Sequence, residues 1–286
     1  VYSPQHGADN IPVRTCLKRL GYDIVPVLAQ CAPDPDYTNT KSPNPEVDAS
    51  YELAIKLAKE VDADVVAITD PDGDRLGVGA KHNGEYVLMS GNQSAAVYLE
   101  YILSQRKEKG TLPDNAVMYN TIVTSDLGEL VARNYGVDVE KTLTGFKFIG
   151  DKIRKYEKTH EKQFIFGYEE SYGCVVEDFV RDKDAVQAVL LAAECGNYYK
   201  KQGKDLIDVL NELYAKYGTF KESQIALAKA GAAGAARIKE MMDTLRKDKP
   251  TEIGGVKVVL SEDYATSERS DGTTIDLPPL IGPTFR

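Results

Sequence analysis

Apolar positions along this chain alternate between two periods, and that alternation predicts repeated α/β units. A strand at Val1–Ser3 precedes a helix over Asn10–Leu20 and a strand at Asp23–Val27, and Pro33–Pro45, rich in Pro, Asp and Asn, is a loop. Ala49–Glu60 carries Leu53, Ile55, Leu57 and Ala58 at helical spacing. Val65–Thr69 is a short β-branched run and reads as a buried strand. Leu76–Ala80 and Tyr86–Met89 read as strands paired through the His82–Glu85 turn. A second unit begins near Asn92 with a helix to about Lys107. Strands at Val117–Tyr119 and Val137–Thr142 flank a helix that starts at Ser125, read as its N-cap. Helix Phe146–Thr159 leads to strand Phe164–Phe166, and helices Ala185–Lys201 and Lys204–Tyr217 join at Gln202-Gly203. Beyond Gly218 the pattern changes: Thr219–Leu227 and Val256–Leu260 read as extended and Ala232–Lys247 as helical.

Composition narrows the class. With 42% hydrophobic and 28% charged residues, the chain can bury sizeable cores in two domains or slightly more. No apolar run approaches the ~20 residues needed to span a bilayer, and no signal-peptide pattern opens the chain. Cys16, Cys31, Cys174 and Cys195 are scattered without Cys-x-x-Cys pairing, as expected of reduced thiols in a cytoplasmic enzyme. A net charge of −9 argues against nucleic acid as the partner but leaves room for a small phosphorylated ligand met by locally placed cations. Arg106–Lys109 is read as a solvated helix end rather than a binding patch.

The densest chemistry lies in Val65–Val78, where an apolar strand runs into Asp70, Asp72 and Asp74, followed at once by Arg75. On a continuing strand these side chains would alternate in direction, but Pro71 and Gly73 allow the chain to bend around a central ion. Hard oxygen ligands at this density suit Mg²⁺ rather than Zn²⁺. An ordinary solvated acidic turn is the plain alternative. An EF-hand fails, because its glycine and glutamate positions counted from Asp70 hold Arg75 and Lys81. A haloacid-dehalogenase-type phosphatase also places Asp-x-Asp after a strand and stands as a rival enzyme class, although its later acidic motif is not completed at Gly150–Lys155.

The segment Asp70–Leu76 resembles the metal loop of the α-D-phosphohexomutases, the phosphoglucomutase/phosphomannomutase superfamily. Phe166–Gly173 resembles that family's sugar-recognition loop, Tyr2–Gly7 the strand and loop opening its second domain, and Thr144–Gly150 a third-domain segment, all in the family's order. The Glu-Glu-Ser-Tyr-Gly form is similar to the phosphoglucomutase-2-like branch. The family's serine loop, Thr-Ala-Ser-His-Asn-Pro, and its phosphate loop, Arg-Pro-Ser-Gly-Thr-Glu-Pro, do not occur in this sequence. Ser42-Pro43-Asn44-Pro45 only echoes the former and is not expected to be a nucleophile. The chain is therefore expected to be an internal portion of a larger enzyme: a second mutase domain over 1–91, a third over 92–218, and the partial opening of an α+β C-terminal domain over 219–286. Leu277–Arg286 departs from the family pattern and has no functional reading.

The resemblance implies interconversion of glucose 1-phosphate and glucose 6-phosphate through an enzyme phosphoserine, with a hexose 1,6-bisphosphate as intermediate and small-molecule sugar phosphates as partners. It implies Asp70, Asp72 and Asp74 as Mg²⁺ ligands, with Arg75 beside the transferred group or paired with a neighbouring aspartate. Glu169 and Ser171 match the family's sugar-hydroxyl ligands, and Glu170 occupies its variable position. Lys147 and Lys183 are candidates for meeting a substrate phosphate or assisting proton transfer, against the plain role of solubilising charges. Some members carry His where Gly173 stands, so proton transfer is expected to lie elsewhere. His6 is read as structural. Adjacent Glu169 and Glu170 do not by themselves make a glycosidase pair. Phosphomannomutase, phosphopentomutase and a non-catalytic sugar-phosphate-binding fragment remain alternatives.

Overall fold

The strands Val65–Thr69 and Ala116–Thr121 divide their side chains between two cores, which is why these runs lack a polar face. The computed structural model describes residues 1–223, 228–275, 277 and 283–285, and the chain forms two compact units, Val1–Lys221 and Glu222–Arg286. In the first unit, β1 (Tyr2–Ser3), β2 (Val65–Thr69), β3 (Leu76–His82) and β4 (Glu85–Met89) form one sheet in that order. The first pair is parallel and the other two antiparallel. Val66 and Ile68 enter a core with Tyr51, Ala54 and Ala58, whereas Ala67 faces the opposite side, with Leu17 and Val13. Helix α1 (Asn10–Arg19) serves that second core, and α2 (Glu52–Val61), entered through a 3₁₀ turn at Asp48–Tyr51, serves the first.

The second sheet has the order β6 (Asp138–Thr142), β5 (Ala116–Thr121), β7 (Gln163–Tyr168), β8 (Cys174–Val175), with β8 alone antiparallel to its neighbour. Val117 and Tyr119 meet Phe146, Ile149 and Ile153 of α5 (Phe146–Thr159), while Met118 turns to the large shared core. That core is contributed by both sheets and by α3 (Gly91–Glu108), α4 (Leu127–Asn134), α6 (Ala185–Lys200) and α7 (Leu206–Tyr217). Both sheets are thus covered on both faces, as near-continuous apolar strands require. The architecture is α/β with mixed sheets.

Local signals set most boundaries. Ser90 caps α3 in a reciprocal box: its Oγ accepts from Gln93 N–H at 3.3 Å and the Gln93 side chain accepts from Ser90 N–H at 2.9 Å. Asn83 and Gly84 both have positive φ, so the β3–β4 connection is the two-residue hairpin that suits strand twist. Two boundaries differ from expectation. Asp23–Val27 is not a strand; only Pro26 bridges to Tyr2, because proline supplies no donor to extend a ladder. Ser125 is not the formal N-cap of α4, which is Asp126, yet its Oγ still accepts from Leu127 N–H at 3.3 Å.

The second unit, taken by itself, has α8 (Gly231–Lys247), a β9 (Glu252–Ile253)–β10 (Val256–Lys257) hairpin, and an antiparallel sheet ordered β12 (Glu268–Arg269), β11 (Ser261–Asp263), β13 (Pro283–Phe285). The extended segment expected at Val256–Leu260 is confined to Val256–Lys257, and Val259 is solvent-exposed. Of Thr219–Leu227, residues 219–223 carry no strand and 224–227 lie outside the described residues, as does most of Leu277–Arg286.

Gly91, the first residue of α3, lies against the backbone of Glu170 and Tyr172, with an added Cβ placed 2.7 Å from Tyr172 N. Gly91→Ala should therefore destabilise the fold by about 1–3 kcal/mol, the usual cost of overpacking against a backbone that must move. Urea unfolding checks this; a neutral or stabilising result, as expected from helix propensity alone, would contradict it.

Candidate functional site

The carboxyl ends of β2 and β7 each feed a loop, and hydrogen bonds between backbones hold these two loops together. After β2, Asp70 bends the chain back over itself: its Oδ1 accepts from Asp74 N–H at 3.1 Å and Arg75 N–H at 2.9 Å. Gly73 takes φ +74°, a conformation that favours glycine. The turn brings one carboxylate oxygen from each of Asp70, Asp72 and Asp74 within 4.8 Å of the others. Gly7 supports the loop from below, since a Cβ there would sit 2.6 Å from Pro71 Cα. Ala8 N–H adds a hydrogen bond to Pro71 C=O at 3.0 Å.

The second loop, Glu169–Gly173, closes on itself through Glu169 N–H to Gly173 C=O at 2.9 Å. Leu76 N–H donates to Tyr172 C=O at 2.9 Å and Ala185 N–H donates to Gly73 C=O at 3.0 Å, fastening the acidic loop to this loop and to the start of α6. Buried Glu169 accepts from Gly145 N–H at 2.8 Å, which ties in the Thr144–Gly150 segment. Burial raises its carboxyl above the usual range, opposed by that N–H and by Lys183. Ser171 is half-buried on the same loop. Glu170, on the same loop, accepts from Thr121 Oγ1 at 3.1 Å.

Lys183 joins the two loops. Its ammonium lies 3.0 Å from Asp74 Oδ2 and 5.4 Å from the Phe146 ring centre, with its side chain only 13% exposed. Its stem passes directly over Gly173, where any Cβ would overlap it. Burial pulls its pKa down, but pairing with Asp74 and Asp182 more than offsets this, so the group is held charged. Lys147 has no carboxylate partner among the described residues and lies 5.0 Å over the Phe148 ring. Lys147, Arg154, Lys183, Asp184 and Gly73 line one open groove of about 770 Å³. Arg75 is engaged with Glu46 at 2.7 Å, and its Nε stands 3.7 Å from Asp70 and 3.6 Å from Asp74. His6 bonds the Ala32 carbonyl through Nδ1 at 2.7 Å.

The donor set fits a hard divalent cation: all-oxygen, convergent and crowded with like charge. A second cluster, His82 with Asp205 and Asp208, has a structural explanation. Its aspartates form the capping box of α7, and His82 Nδ1 is bonded to Asp205 at 2.8 Å. One residue at the site was not legible in the sequence: Asp9, before α1, is buried against the acidic loop. Nothing in its local sequence distinguishes it from an ordinary helix cap.

Burial, followed by the neighbouring Asp74 and Asp72, pushes Asp70 up to about 7, against the pull of Arg75 N–H. In the unfolded chain this carboxyl ionises near its ordinary value of about 4, so the unfolded state releases its proton first. Without divalent metal, the Asp70 contribution to stability should be present below about pH 4 and lost as pH rises to about 7. Thermal unfolding across that interval should show Asp70→Asn gaining on the unsubstituted chain as pH rises; parallel pH profiles would contradict this.

Residues 1–84 match the model "Phosphoglucomutase/phosphomannomutase, alpha/beta/alpha domain II" and residues 90–217 match "domain III" of the same series. A phosphoglucomutase of Staphylococcus haemolyticus is 36% identical over 272 residues, covering 94% of this chain and 48% of that protein. The chain thus spans about half the length of the curated relatives it matches. The open form of parafusin, a Paramecium phosphoglucomutase, superposes with TM-score 0.61 at 18% identity, over 99% of this chain and 46% of that one. A phosphoglucomutase/phosphomannomutase family protein from Burkholderia thailandensis gives TM-score 0.58 at 20% identity, over 74% of this chain and 42% of that one. At those identities the structural likeness is one of fold.

Proposed function

This chain belongs to the phosphoglucomutase/phosphomannomutase family, and we propose that it supplies the metal-binding and sugar-binding domains of a phosphoglucomutase. The activity proposed for the whole enzyme is interconversion of glucose 1-phosphate and glucose 6-phosphate through an enzyme phosphoserine and a hexose 1,6-bisphosphate. The observation that carries this reading is the junction of the two loops, with Asp70, Asp72 and Asp74 convergent on one side and Glu169 buried on the other. Membership of the family displaces the haloacid-dehalogenase-type alternative. The name of the curated relatives favours glucose phosphates over mannose or pentose phosphates. Residues 1–91 are taken as the metal-bearing domain, 92–218 as the sugar-bearing domain and 219–286 as part of the last domain. Four free cysteines fit a cytoplasmic enzyme.

Phosphoryl transfer is mainly positioning and charge neutralisation. Asp70, Asp72 and Asp74 would hold Mg²⁺, which supplies positive charge to phosphoryl oxygens when bound. Lys183 presents a second, fixed positive charge from the groove, already desolvated and aimed at the acidic loop. Lys147 offers a free ammonium to a substrate phosphate on the same groove. Glu169, anchored by Gly145 N–H through one oxygen, retains acceptor capacity for sugar hydroxyls, and Ser171 can donate or accept beside it. Arg75 is held by Glu46 and steadies the acidic loop while keeping its guanidinium beside it. The serine that carries the phosphate is expected from sequence this chain does not contain, so binding without turnover is the expected behaviour of these 286 residues.

Calorimetric titration of Mg²⁺ and glucose 1,6-bisphosphate tests both halves of the site. Asp72→Ala should weaken Mg²⁺ binding at least ten-fold, by loss of one hard ligand, and unchanged affinity would remove the metal assignment. In the full-length enzyme, Glu169→Ala should lower kcat/KM by roughly 10–100-fold, as expected for a buried charged hydrogen-bond partner, and leave Mg²⁺ affinity intact. Unaltered kinetics would take Glu169 out of the sugar site.

A further inference from the structure

We propose that Asp9 is a fourth carboxylate of the metal centre, accepting hydrogen bonds from water on the bound ion rather than touching the ion itself. The inference rests on the reading of Asp70, Asp72 and Asp74 as Mg²⁺ ligands. Asp9 occupies the N-cap of α1, where aspartate normally accepts from the first turn of the helix, yet its side chain makes no capping hydrogen bond. It is only 6% exposed, and its buried Oδ2 has no hydrogen-bond partner among the described residues. The carboxylate lies across Gly73: a Cβ built on that glycine would fall 2.5 Å from Asp9 Oδ1 and 2.8 Å from Oδ2. It therefore abuts the loop midway between Asp72 and Asp74.

Its charged neighbours are the wrong ones for an ordinary structural acid. Asp184, Asp72 and Asp74 all act on it with like charge. An acid that is buried, unpaired and surrounded by acids destabilises the metal-free fold, and it is satisfied only when positive charge or a donor arrives. The oxygens of Asp70, Asp72 and Asp74 converge within 4.8 Å as a group that does not include Asp9. Inner coordination by all four is thus not what the geometry offers. Mg²⁺ keeps several of its waters, and those waters are donors that need acceptors. Among the described residues, Asp9 Oδ2 is an acceptor with no donor of its own. Gly73 follows from the same contact, since any larger residue would displace the carboxylate that faces the loop.

Asp9→Asn keeps the shape and removes the charge, and Asp9→Ser provides a smaller second variant. Calorimetric titration of the 286-residue chain with Mg²⁺ alone should show affinity falling roughly 10–100-fold in both variants, the usual effect of removing an outer-shell partner. In EDTA the melting temperature of Asp9→Asn should be higher than that of the unsubstituted chain, because a repelled buried charge is gone. A purely structural Asp9 would give the reverse pair of results, a lower melting temperature in EDTA with unchanged Mg²⁺ affinity, and would overturn the inference. Asp72→Ala separates the role of the metal loop from that of Asp9. If Asp72→Ala loses Mg²⁺ while Asp9→Asn binds it normally, the inference fails and the metal loop stands. If the unsubstituted chain takes up no Mg²⁺, both fail together.

Discussion

Backbone hydrogen bonds between loops of different sheets fix the distance on which the site depends. Leu76 N–H to Tyr172 C=O and Ala185 N–H to Gly73 C=O link the end of the acidic loop, the Glu169 loop and the start of α6. Such contacts need backbones to approach closely, and the residues at the points of approach are glycines. Gly91 meets the backbone of Glu170 and Tyr172, and Gly7 meets Pro71. Side chains then fill in the chemistry on a frame already set. Lys183 can reach Asp74 because Gly173 leaves room for its stem.

That frame also concentrates negative charge. Asp9, Asp70, Asp72, Asp74 and Asp184 lie near one another, and Lys183 and Arg75 offset them only in part. Like charges held together by surrounding structure are costly without a counter-ion and pre-organised for one. Burial raises Asp70 and Asp9 for the same reason that it would strengthen their attraction to a cation. Repulsion within the metal-free loop and affinity for a metal are two sides of one arrangement.

Much of this was legible in the sequence, for reasons that can be named. Val65–Thr69 was readable as a strand because both its faces are buried, and Phe146–Thr159 as a helix because its apolar stripe meets a single sheet face. The Asp-x-Asp-x-Asp spacing suggested a convergent loop because Pro71 and Gly73 allow the chain to bend there. What escaped were features created by tertiary approach. Asp9 looks like a helix cap until its carboxylate is seen turned towards Gly73. Gly173 reads as a missing histidine until Lys183 is seen passing over it. Asp23–Val27 has strand composition, but Pro26 limits it to a single bridge, and no propensity count weighs one missing donor that heavily.

The position of a bound divalent ion decides between the two carboxylate clusters. Anomalous diffraction from crystals of this chain grown with Mn²⁺ and glucose 1,6-bisphosphate would locate it directly. The predicted result is a peak among the carboxylates of Asp70, Asp72 and Asp74, with sugar density against Glu169 and Ser171. A peak confined to His82, Asp205 and Asp208, or sugar density away from Glu169, would contradict the assignment of both loops.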